Sequence, residues 1–118
     1  MIDLQLKDLE IVRTVLKAFV PQYDVWAFGS RVSHRARPFS DLDLAIIADH
    51  PLGFEKLGDI HETFSLSDLP IKVDVLDWAC ITESFREIIR NQYEIIQHGE
   101  AQLNGVGLGV EYRIDLGK

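Results

Sequence analysis

"GSRVSHRARPFSDLDL", residues 29–44, sets three arginines and a histidine between a Gly-Ser pair and two aspartates one residue apart. Its two ends read differently. Gly29 lets the backbone approach an anion with no Cβ in the way, and Ser30 adds a hydroxyl and an N–H. A short helix over residues 30–36, halted before Pro38, would aim its positive end at the same anion. Asp41 and Asp43 open "SDLDLAIIA", whose alternation puts Asp41, Asp43 and Ala45 on one strand face and Leu42, Leu44 and Ile46 on the other. Carboxylates at i and i+2 lie about 6.5 to 7 Å apart along a strand and point the same way. Magnesium takes one or two protein carboxylates, keeps several waters and binds phosphate oxygens. An anion cradle at one end and a cation site at the other suit a polyphosphate and its metal.

Working outward, Leu4 to Phe19 has apolar residues mostly three and four apart, the pattern of an amphipathic helix, and Pro21 ends it. "YDVWAFG" reads as a strand running into Gly29. Residues 52–66 read as a helix weakened by Gly53 and Gly58. "IKVDVLDW" is a third strand, with Asp74 and Asp77 on opposite faces. Thr82 is an apt N-cap for a last helix running to about His98, with Gly99 as its stop. Helices alternating with three or four strands imply an α/β (α+β) fold, a small mixed β-sheet flanked by helices. Residues 1–100 form one domain in this reading. Residues 101–118 change character and form a tail, with one possible strand at Val110–Leu116.

The bulk properties narrow the function. With 118 residues the chain holds one domain with a real core. A formal charge of -7 argues against a general nucleic-acid binder, because Lys and Arg supply most non-specific affinity for phosphate backbones. The lone Cys80 makes no intramolecular disulfide and reads as a small buried side chain. The N-terminus has no signal-peptide pattern and no apolar run approaches ~20 residues, so the expectation is a cytoplasmic protein.

Asp74 is the natural third carboxylate. If its strand lies beside that of Asp43, at about 4.8 Å spacing, Asp74 reaches a second metal or accepts a proton from an attacking hydroxyl. A charge inside "IKVDVL" is costly without a partner, so Lys72, another basic group or a metal must pair it. Arg31, next to the cradle, is the arginine best placed for phosphate, and Ser40 is a further candidate nucleotide contact. Asp77 reads as a cap or surface charge, His61 and His98 as solvated, and Trp26 and Trp78 as core or partner-interface residues.

Gly29 and Ser30, ten residues, then Asp41-x-Asp43 resembles the signature of the polymerase-β-like nucleotidyltransferase superfamily, with Asp74 in "VDVLD" similar to its third carboxylate. The length, "AFGSR", "SDLDLAI" and "LPIKVDVLDW" resemble the minimal nucleotidyltransferases, over Leu4 to about Glu100. The resemblance implies a polymerase-β-like palm fold. It further implies an antitoxin that transfers AMP from Mg-ATP to a tyrosine hydroxyl of a partner HEPN-domain ribonuclease toxin. Gly29, Ser30, Arg31 and Ser40 would then hold the nucleotide, and Asp41, Asp43 and Asp74 would bind Mg²⁺ in a two-metal site and carry catalysis. Many relatives have glycine where this chain has His34. Larger relatives add a helical acceptor domain for which 118 residues leave no room, which favours an acceptor presented by another protein. Two alternatives stand: a non-catalytic antitoxin acting by occlusion, and a small-molecule (aminoglycoside-type) nucleotidyltransferase.

Overall fold

In the computed structural model, which describes residues 2–100, the anion cradle and the first aspartates lie at the same end of two neighbouring strands. Helix α1 spans Leu6–Phe19, strand β1 Asp24–Phe28, helix α2 Ser30–Ser33 and strand β2 Leu42–Ile47. Helix α3 spans Phe54–Ser65 and strand β3 Val73–Asp77; a single 3₁₀ turn at Trp78–Cys80 leads to helix α4, Glu83–Asn91, and strand β4, Glu94–Gln97. The sheet order is β3-β2-β1-β4, with β2 parallel to β3 and the other pairs antiparallel.

The alternation in "LDLAII" sets the two faces of the sheet. Leu42, Leu44 and Ile46 are fully buried and pack with Val12, Leu16, Ile60, Phe64, Val73 and Val75, so α1 and α3 cover that face. The other face carries Phe28, Ala45 and Ile89 with Trp26, Leu76, Trp78 and Phe85, and α4 covers part of it. Trp26 stacks on Tyr93 and meets Trp78 edge-on, which places both tryptophans in this second cluster. Thr82 caps α4 as expected, its hydroxyl accepting from the Phe85 N–H at 3.2 Å.

The last helix is shorter than its sequence suggests. It ends at Asn91, and residues 94–97, expected as its final turns, form β4 on the outer side of β1. Ile95 and Ile96 are β-branched, and β1 otherwise has an unpaired edge, so strand pairing outweighs one more helical turn. Gly99 is accordingly no helix stop. Its N–H donates to Asp24 Oδ1 at 2.6 Å, and a Cβ there would collide with the Gln22 carbonyl. Helix α1 begins at Leu6 and α2 ends at Ser33, each shorter than expected. The strand expected at Val110–Leu116 lies outside the described residues.

Two side chains, Cys80 and His61, correct the sequence reading, and Asp77 meets it as a cap. Cys80 is exposed, because the 3₁₀ turn beyond β3 carries it outward; partial desolvation, then the charge of Asp77 and its hydrogen bond to the thiol, raise its pKa. Asp77 is a cap, but a buried one: its oxygens accept from Ala79 N–H and Leu52 N–H. His61 is partly buried, and its Nε2 accepts the Val75 N–H at 3.1 Å.

Candidate active site

The site lies where β1 ends and β2 and β3 begin. Asp43 is the register partner of Phe28 on β1 and of Asp74 on β3, so the two carboxylates sit on adjacent strands and on the same sheet face. Asp41 immediately precedes β2 and is exposed, whereas Asp43 and Asp74 are half-buried. Phe28 meets Phe85 of α4 edge-on, with ring centroids 5.9 Å apart, and forms an apolar wall beside Asp43.

Gly29 has φ +83°, a conformation that costs other residues strain. A Cβ at this position would run into Asp43 Oδ2 and lie 3.3 Å from its Cγ. The Asp43 carboxylate thus rests against the Gly29 backbone, and only glycine leaves space there. Ser30 opens α2, and the Ser30 and Arg31 amides at its start have no intrahelical acceptor. The Val32 and Ser33 amides turn back onto the Gly29 carbonyl. The turn ends at His34, whose backbone is left-handed at φ 63° and whose N–H reaches the Ser30 carbonyl. A residue with a side chain thus occupies a conformation that suits glycine, consistent with the departure noted in the sequence.

Burial, then the charge of Asp74, then that of Asp41, push the Asp43 pKa from the usual 3.8 to about 6. The ion pairs resolved among the described residues lie elsewhere, on α4 and at Asp49–His50. Lys72 therefore does not neutralise Asp74. Three carboxylates with no ion-pair partner among the described residues fit a cation as their partner. Among the described residues no three acidic, histidine or cysteine groups form a ready-made metal cage. Such an open donor set suits Mg²⁺, which completes its shell with waters and substrate phosphates.

The structure gives Arg31 and Ser40 different work from that expected. Arg31 is buried, and its guanidinium donates to the carbonyls of Asp3, Ser40, Pro38 and, more weakly at 3.5 Å, Arg37. The Asp3 N–H donates back to the Arg31 carbonyl, so the residue ties the N-terminal arm to the loop. Ser40 Oγ accepts from the Arg37 N–H at 2.8 Å, closing the turn that delivers Asp41. Both residues shape the basic insert from within.

The match to known proteins agrees with this geometry. Residues 10–101 match the family model described as polymerase beta, nucleotidyltransferase, and the chain belongs to that nucleotidyltransferase family. It is 54% identical over 99 residues to the probable protein adenylyltransferase MntA of Haemophilus influenzae, covering 84% of this chain and 87% of that protein. The fold also matches a toxin–antitoxin structure with AMP-PNP, at TM-score 0.67 and 18% identity over 78% of this chain and 74% of the other. A further match is a tri-AMPylated Shewanella oneidensis HEPN toxin in complex with its MNT antitoxin, at TM-score 0.62 and 18% identity over 80% and 73%. At such identities the two solved structures establish the shared fold. No described helix is long and apolar enough to cross a membrane.

Proposed function

We propose that this chain is an antitoxin that transfers AMP from Mg-ATP to a tyrosine hydroxyl of a HEPN-domain toxin in the cytoplasm, and so silences it. The observation that carries this reading is the pairing of Asp43 with Asp74 beside the Gly29 cradle, in a chain that is 54% identical to a probable protein adenylyltransferase. Gly29 and Ser30 hold the triphosphate through backbone N–H groups and the serine hydroxyl. Asp41, Asp43 and Asp74 would hold magnesium, which would supply neutralisation of the phosphate charge. The tyrosine oxygen attacks the α-phosphorus, the bond to the bridging oxygen breaks and pyrophosphate leaves. Asp74, on the outer strand, takes the hydroxyl proton. Little else is needed beyond positioning and charge neutralisation.

One observation favours occlusion as the second reading. Tyr93, Ile95 and Ile88 are exposed around the second aromatic cluster, with Arg90 over the Trp78 ring, a composition common in protein interfaces. Rescue of cells expressing the toxin separates the two. The wild-type chain should restore growth, and Asp41→Asn/Asp43→Asn should fail while still folding and binding the toxin. Equal protection by the double variant would replace catalysis with occlusion.

A further inference from the structure

We propose that the groove along the open edge of β3 is the acceptor subsite, receiving the tyrosine and flanking backbone of the partner protein; this rests on the transferase reading above. The groove measures about 880 Å³ and runs from α3, at Gly58, His61 and Ser65, past Leu69 and Lys72 to Asp74. Helix α3 lies on one face of the sheet and Asp74 on the other, so a groove lined by both runs along the β3 edge and reaches Asp74, the register partner of Asp43. Its volume lies within the range of pockets that enclose a small ligand or a large side chain.

The strand order decides which substrate enters from which side. Across β1, β2 and β3 the sheet presents the Gly29 cradle, then Asp43, then Asp74. An in-line displacement needs the attacking oxygen and the leaving pyrophosphate on opposite sides of the α-phosphorus. A triphosphate held at Gly29 and Ser30 therefore leaves the β3 side for the hydroxyl. There its oxygen bonds to phosphorus, its proton passes to Asp74 and pyrophosphate departs toward β1.

The lining suits an aromatic side chain carried on a peptide. Phe64, Leu69 and Ile71 offer apolar walls, while His61 and Lys72 add polar groups. The Leu42 N–H bonds to the Lys72 carbonyl, so alternation turns the backbone groups of Val73 and Val75 outward. His61 closes the Val75 N–H, while among the described residues the outward backbone groups of Val73 have no partner and suit pairing with an extended segment.

Gly58 provides the test. A Cβ there meets nothing within 4 Å, Gly58 is exposed on the groove wall, and replacing glycine favours the helix. Gly58→Trp should raise KM for the HEPN acceptor on the order of tenfold or more while the dissociation constant for Mg²⁺ with a non-hydrolysable ATP analogue stays unchanged. Gly58→Ala and Asp59→Trp, the latter on a separate hollow beside Leu52 and Lys56, should behave as wild type. Ser65→Trp, farther along the groove, should repeat the effect and decides the matter if Gly58→Trp does not fold. Unchanged acceptor KM in both tryptophan variants would overturn the proposal, as would loss of nucleotide binding, which would make the groove part of the nucleotide site. Failure of the wild-type chain to label the acceptor would remove the transferase reading itself, an outcome distinct from normal transfer by the groove variants.

Discussion

Replacing Asp43 by asparagine should make the metal-free protein more stable while destroying its activity. The Asp43 pKa is raised from 3.8 to about 6, by burial first and then by Asp74 and Asp41. A folded-state pKa above the unfolded value means that the stability belonging to the protonated form is complete below pH 3.8 and is lost as the pH rises through about 6. At pH 7.5 the wild type therefore carries the full penalty, which asparagine escapes. A shift of about 2 units corresponds to ~3 kcal/mol without screening. Asp43 is only half-buried, so solvent reduces this to roughly 1 kcal/mol. For a domain of this size that is about 4 °C in Tm. Thermal unfolding in EDTA at pH 7.5 should show Asp43→Asn melting higher, and the gap should close toward pH 4, where the wild-type carboxyl is protonated. Mg²⁺ should narrow the gap at pH 7.5 by stabilising the wild type. A variant that melts at or below the wild type in EDTA at pH 7.5, or a gap independent of pH, would refute the reasoning.

Two further substitutions probe the cradle. Gly29→Ala places a Cβ against the Asp43 carboxylate in a backbone at φ +83°, so transfer should fall at least tenfold, about 1.4 kcal/mol of lost transition-state stabilisation, in a steady-state labelling assay. Wild-type turnover in that assay would show that the contact between Gly29 and Asp43 is dispensable. His34→Gly relieves a left-handed residue at the end of α2 and should stabilise the fold by about 1 kcal/mol, measured by urea unfolding, with little change in transfer rate. A loss of stability would mean that the His34 side chain makes up for its backbone strain.

How much of this could be read in advance depended on the range of the interaction. Alternation in "SDLDLAII" placed Leu42, Leu44 and Ile46 in the core and Asp43 on the opposite face, because a strand's period of two leaves one arrangement when one face is buried. The pairing of Asp43 with Asp74 was a conditional expectation that the parallel β2–β3 contact met. Residues 94–97 were misread as helix because Ile95 and Ile96 suit either state locally, and only the free edge of β1 decides between them. Arg31 looked like a phosphate ligand from its neighbours in sequence. Its actual carbonyl acceptors include Asp3, which the chain brings close only through the fold. His61 gave no local signal either, since its partner is an edge amide 14 residues away.

The most direct test of the central claim is the intact mass of the HEPN partner after incubation with this chain, ATP and Mg²⁺, followed by fragmentation to find the modified residue. The account predicts a gain of one or more AMP units on tyrosine that requires Mg²⁺ and is absent with Asp41→Asn/Asp43→Asn. A partner that binds tightly yet keeps its unmodified mass, with active nucleotide and metal present, would contradict it.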